Sequence, residues 1–238
     1  MNFKNYIPKK LKLQVKLLIR SFKDLGLKEK FAVKTEKQLS YNHEISIEQE
    51  IKKNHHFENK LVNIDLGLKS IQDVTIYPNQ IFSFWKMVPK PSAKNNFQQS
   101  RNIIDGKLSE DIGGGLCQLS SIIYHCALIS GLKITERHNH SVDLYEEKDR
   151  FTPLGSDATV VYGYKDLRFQ NTFNFPIQIQ VKKEDFNLKC SFLSPENIQE
   201  RDLEFVSKTI GNGVEVETFA IFDHKKTLLN TAFYLKLK

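Results

Sequence analysis

Two short stretches hold the residue types and spacing that could do chemistry: "GGGLC" at 113–117, and a histidine pair, His138 and His140, in "ERHNHSVD". After Cys117, apolar residues fall at Leu119, Ile123, Ala127 and Ile129, and Gly131 follows. That spacing predicts a helix over 116–130, closed by glycine, with Cys117 in its first turn. Unpaired N–H groups and the helix dipole there favour a thiolate over a thiol. Gly113, Gly114 and Gly115 let the backbone pass close to a neighbouring group. Their N–H groups, with the Gln118 side chain beside them, are candidate donors to an oxyanion. Cys126 points to the opposite side of the same helix and reads as packing, as does Cys190 in a later strand.

A cysteine nucleophile needs a base, and the base needs a group that orients it. In extended chain His138 and His140 project from one face, so either can serve as the base. Asp143 and Asp157 are the carboxylates near enough in sequence to hold an imidazole tautomer. Two other readings stand beside this one. Cys117 can be a packing residue in a tight turn, or it can join His138 and His140 in a metal site. No Cys-x-x-Cys pair or evident fourth ligand supports the metal, so neither metal nor cofactor is expected. The string "HNH" lacks the surrounding pattern of the nuclease so named.

These residues must be positioned by the elements around them. After a linker at 34–45, Ser46 and Gln49 in "SIEQEI" are spaced to cap a short helix. Leu61, Ile64, Leu68 and Ile71 form a helical stripe, and His55 and His56 before it read as surface residues. "DVTIYPNQIFSFWKMV" reads as β-structure around a "YPNQ" turn. From Gly131 onward the pattern is β. "HSVDLYEE" alternates through Val142 and Leu144, while "ATVVYGYKDLRFQN" and "PIQIQVKK" read as strands. Residues 201–238 read as a three-stranded meander broken at "GNG" and "DHKK". The expected fold class is α+β, with the cysteine helix packed on a mostly antiparallel sheet.

The charge is unevenly placed. Residues 1–34 hold nine Lys and one Arg against Asp24 and Glu29, a net +8, which leaves −1 for the other 204 residues. The body is therefore no nucleic-acid binder. In the leader, Ile7, Leu11, Val15, Leu18, Phe22 and Leu25 recur at steps of three and four, and Leu13 and Leu17 widen the apolar side. This predicts a basic amphipathic helix that either meets an anionic membrane surface or packs on the body. No run nears the ~18–20 apolar residues of a membrane span, and no secretory signal is apparent. With three sparse cysteines, these features lead to a cytoplasmic or inner-membrane-peripheral location as the expectation.

The chain resembles the VanW family, named for an accessory product of glycopeptide-resistance gene clusters. The blocks "NKLVNIDLGLKSI", "YPNQIFSFWKMV", "GGGLCQLSSIIYHCAL", "ITERHNHSVDLY" and "DATVVYGYKDLRFQNTF" carry the likeness, over roughly residues 55–185. With the leader at 1–34 and the meander at 201–238 read from the residues, the expected organisation is a VanW-like domain at 35–200 with the meander in the same domain. The resemblance implies peptidoglycan, its peptide or a precursor as partner, and cysteine chemistry of the L,D-transpeptidase kind. It would make Cys117 the nucleophile, His138 or His140 the base, and the Gly113–Gly115 turn with Gln118 the oxyanion holder. A reading of another class is a binding module for wall precursors, in which Arg137 and Arg168 hold a carboxylate or phosphate.

Overall fold

The computed structural model describes residues 8–34, 41–53, 56–104, 107–143, 150 and 152–236. Among them the chain forms an α+β fold with four helices and fourteen strands. The main sheet combines β1 (Val33–Lys34), β2 (His43–Glu50), β3 (Val74–Ile76), β10 (Ile177–Glu184) and β11 (Asn187–Ser194), in the order β1-β3-β10-β11-β2. A three-stranded sheet orders β4 (Ile81–Ser83), β9 (Arg168–Gln170) and β7 (Lys133–Glu136), with β9 in the middle. β5 (Gln99–Ile104) and β6 (Lys107–Ile112) form a hairpin. The C-terminal meander is β12 (Asp202–Ile210), β13 (Gly213–Phe222) and β14 (Lys225–Lys236). Its last strand also pairs, in parallel, with β8 (Val142–Asp143). Every other pairing between these strands, among the described residues, is antiparallel, and Phe31 adds one parallel bridge to Ile81 of β4.

Helix α4 (Leu116–Ile129) is the centre of this arrangement. It is apolar on nearly every side and almost entirely buried, as a core helix must be. It packs on β2 and β11, where Ile45, Leu188, Cys190 and Phe192 alternate inward. Helix α2 (Phe57–Ile71) lies against it, with Ile64, Leu68 and Ile71 buried in the same core. At Gly67 a Cβ would sit 2.6 Å from a Leu119 methyl, so glycine lets the two helices approach closely. Gly131 takes φ +72 and ends α4 as expected.

Several elements differ from the sequence reading. Ser46 and Gln49 cap no helix; they belong to β2, where Ile45 and Gln49 face inward and β11 supplies the ladder. A period of two over "HEISIEQE" outweighs the capping signal once a partner strand is beside it. "FWKM" forms a short helix, α3 (Phe84–Met87), directly after β4. The strand expected over "ATVVYGYKDLRFQN" shrinks to β9, because residues 157–160 bond to α4 and to His138 rather than to a ladder. The 34–45 linker holds the start of β2, and its middle, with Ile7, His55 and Leu144, lies outside the described residues. His56 is a surface residue that pairs with Glu110 at 2.9 Å.

The leader helix α1 (Lys9–Leu25) forms as expected but rests on the body by a different face. Leu13 and Leu17 pack over Gly163, and Arg20 and Asp24 form ion pairs with the domain. The stripe of Leu11, Val15, Leu18, Phe22 and Leu25 is exposed.

Candidate active site

Cys117 is the second residue of α4, reached through a turn that only glycine fits. Gly113 has φ +97, and a Cβ on it would lie 2.7 Å from Pro91 Cβ. Gly115 has φ +104 and leaves no room beside Lys60 and Ile64. Fully buried Asn63 on α2 pins the turn, donating to the carbonyls of Gly114 and Gln98 at 3.0 Å each and accepting the Gln98 N–H at 2.7 Å. The thiol is half-buried and faces residues 159–160, with Thr159 Oγ1 at 3.5 Å and the Val160 carbonyl at 3.7 Å.

The fold distinguishes the two histidines. His140 stands close enough to the Cys117 thiol for each to shift the other's titration, and its Nδ1 lies 2.7 Å from Asp157 Oδ2. Its own backbone N–H donates to the same carboxylate oxygen at 2.8 Å, so ring and main chain are held together. With Nδ1 engaged by Asp157, Nε2 is the nitrogen left for the thiol. His138 turns elsewhere, with Nε2 3.1 Å from Glu136 Oε1. Asp143 pairs with Arg150. Cys117, His140 and Asp157 thus stand in line, and His138 and Asp143 stand outside it.

Asp157 is buried and has three further contacts that fix it. Arg137 reaches its Oδ1 at 2.9 Å and its carbonyl at 2.8 Å, and Tyr234 donates its hydroxyl to Oδ1. The same hydroxyl accepts from Arg137 at 3.1 Å and from the Gly155 N–H at 3.0 Å. Ser121 accepts the Ala158 N–H at 3.0 Å and donates to the Cys117 carbonyl at 2.7 Å, while Ser120 donates to the Ala158 carbonyl. These bonds stitch the first turn of α4 to the segment that carries Asp157.

The electrostatics follow from those contacts. Burial alone would raise the Cys117 pKa, but the neighbouring His140 with its positive charge, together with Thr159 and the Val160 carbonyl, brings it below the ordinary thiol value. Burial opposes a charged His140 too, yet Asp157 and Cys117 together push its pKa well above 6.5. Asp157 is held down to about 2, against burial, by His140, Arg137 and Tyr234. The arrangement therefore favours a thiolate–imidazolium pair beside a fixed carboxylate. Cys190, with Cys126 against it, shows the reverse: burial without a cation drives its thiol far up.

The other expected site residues are engaged differently. Gly113 donates its N–H to the Gln98 carbonyl at 3.1 Å, so it is no free oxyanion donor. Gln118 is buried and donates to the Glu50 carbonyl at 2.8 Å, tying α4 to the end of β2. Arg168 is taken up by Asp24 and Asp166, at 2.6 and 2.8 Å. Arg137 is likewise fully occupied around Asp157, so neither guanidinium is available as a fork for a ligand. No group of three or more His, Cys, Asp or Glu among the described residues is arranged to hold a metal ion. Asn63, Ser120, Ser121, Thr159 and Tyr234 are the site residues that sequence reasoning missed. Small polar residues in an otherwise apolar helix were a signal for the serines. Nothing local marks Tyr234.

The comparisons agree with the blocks quoted from the sequence. The chain is 34% identical over 139 residues to the uncharacterized protein YoaR of Bacillus subtilis, which covers 58% of this chain and 44% of that protein. It is 32% identical over 128 residues to the vancomycin B-type resistance protein VanW of Enterococcus faecalis, covering 54% of this chain and 46% of that protein. The matched region thus spans less than half the length of either relative. No solved structure matches significantly. The family model described as VanW-like protein matches residues 59–193, more than half the chain and the segment that carries Cys117, His140 and Asp157, and the chain belongs to that family.

Proposed function

We propose that this chain is a cysteine-dependent acyl-transfer enzyme whose substrate is a peptidoglycan peptide or its precursor. The observation that carries the reading is the alignment of Cys117, His140 and Asp157, with the thiol lowered and the imidazole raised. The substrate class draws support from the relative named for vancomycin B-type resistance, an antibiotic of the cell wall.

In the first step the Cys117 thiolate attacks an amide carbonyl carbon and forms a C–S bond. Leu116 and Gln118 donate their N–H groups to the Gly113 and Gly115 carbonyls, so Cys117's own backbone N–H is the first-turn donor that would face the developing oxyanion. His140, already protonated, gives its proton to the departing amine as the C–N bond breaks. A thioester on Cys117 remains. In the second step an incoming amine or water loses a proton to His140 and attacks the thioester carbonyl, which releases the thiolate. Asp157 holds the ring in one tautomer and balances its charge throughout. Transfer to an amine makes the enzyme a transpeptidase, and transfer to water an amidase. The alternative of a non-catalytic binding module would draw on Arg137 and Arg168, and both are occupied within the fold.

The test is the pH dependence of alkylation at each cysteine, read by peptide mass spectrometry. Cys117 is expected to react well below the free-thiol pKa of about 8.5, and His140→Ala to slow it by about tenfold or more at pH 7. His138→Ala is expected to leave the profile in place. Incubation with peptidoglycan stem peptides should then yield a thioester on Cys117 and none in Cys117→Ser. A Cys117 as inert as Cys126 overturns the reading.

A further inference from the structure

Helix α1 has two faces, and the body covers one. At about 100° per residue, Leu13, Leu17, Arg20 and Asp24 share the side turned to the domain. Leu11, Val15, Leu18, Ile19, Phe22 and Leu25 share the opposite side and stand open, Phe22 at 66% and Leu25 at 79% exposure. Between the two faces, along one edge, run Lys12, Lys16 and Lys23. The helix is thus anchored by ion pairs, Arg20 to Glu136 and Asp166 and Asp24 to Arg168 and Lys86, with its apolar side outward. Val161 and Tyr164 are exposed on the loop that seats it, and the Tyr164 carbonyl accepts from Arg20.

From this geometry we infer that α1 docks the protein on an anionic lipid bilayer, with the Leu11–Leu25 face in the acyl boundary and the lysine edge at the headgroups. An apolar stripe bordered by lysines on a helix pinned from behind is the form an interfacial anchor takes. The positive charge sits where the contact is, since the leader carries +8 and the remainder −1. A second copy of the chain fits less well. An antiparallel partner helix would bring its own lysine edge to the same side, like charge against like.

The docked helix also reaches the candidate site. Arg20 binds Glu136, Glu136 binds His138, and the His138 carbonyl accepts the Thr159 N–H at 2.7 Å beside the Cys117 thiol. A bilayer at α1 therefore lies a few side chains from Cys117. The inference stands on α1 alone and survives even if Cys117 performs no chemistry.

The test is flotation of the full chain with two vesicle types, phosphatidylcholine alone and equal parts phosphatidylcholine and phosphatidylglycerol. Binding is expected with the second and weakly or not at all with the first. Each of Lys16→Gln and Lys23→Gln should weaken it about fivefold, and Phe22→Ser by about tenfold or more. These side chains are exposed, so melting temperature and Cys117 alkylation should not change. Equal binding to both vesicle types, or variants that bind like the parent, overturns the inference. So does a protein that ignores vesicles but forms a dimer that Phe22→Ser dissociates, since a second copy then owns the face.

Discussion

Asp157 and Asp166 invite comparison. Each is a buried carboxylate gripped by an arginine, Arg137 at 2.9 Å and Arg168 at 2.8 Å. Their remaining partners separate them. Asp166 accepts from the Ser83 hydroxyl at 2.6 Å, the Trp85 N–H at 3.1 Å and Arg20 at 3.4 Å, donors that keep their protons near neutral pH. It acts as a clamp that joins β4, α3 and the leader helix. Asp157 accepts from His140, which in turn acts on the neighbouring Cys117 thiol, so its charge bears on groups that can exchange a proton. The same acid–arginine pairing makes a brace in one place and an activating group in the other. The titratable third partner decides which.

The largest expected effect tests the activating side. Asp157→Asn leaves Arg137 without its counter-charge in a buried site, which should cost about 3–5 kcal/mol in urea unfolding. It should also move the Cys117 alkylation profile toward higher pH. Because the Asp157 pKa is depressed to about 2, its contribution is present above the unfolded value of about 3.9 and is lost as pH falls from there toward 2. The stability gap between parent and variant should therefore close over that range. A gap that persists at pH 2 would mean the lost charge is not the cause.

Asp166→Asn should follow at about 1.5–3 kcal/mol, since bonds to charged partners weaken while the shape is kept. Its Cys117 profile should match the parent's. If Asp166→Asn shifts that profile as far as Asp157→Asn does, the division between brace and activating group fails. Tyr234→Phe sharpens the comparison most finely. It removes one hydroxyl from Asp157, should cost about 1 kcal/mol, and should move the Cys117 profile slightly upward, as the carboxylate is held less firmly. An unmoved profile would make Tyr234 a packing residue of β14 alone.

Much of the frame was legible because periodicity is local. The helix of Cys117, its glycine end, the α2 stripe and the β10 alternation all follow from spacings within one element. Cys126 and Cys190 were rightly read as packing residues, and they meet at the core between α4 and β11. The failures share a cause. Ser46 carries a capping signal, yet its segment answers to a strand about 140 residues away in sequence. "ATVVYGYKDLRFQN" has strand-forming residues, but its first part gives its hydrogen bonds to α4 and to the histidine segment. For α1, spacing told which side is apolar and not which side the body covers.

The site divides in the same way. The sequence by itself determined that Cys117 opens a helix behind a glycine turn, because φ values near +100 and helical spacing are written in residue type. It also narrowed the base to two histidines. Only the tertiary structure chose His140, gave it Asp157, sent His138 to Glu136, and brought Tyr234 across from β14 to hold the carboxylate. The reason is physical. A pKa is set by whatever lies within a few ångströms, and those neighbours come from four segments that meet only when the chain is folded.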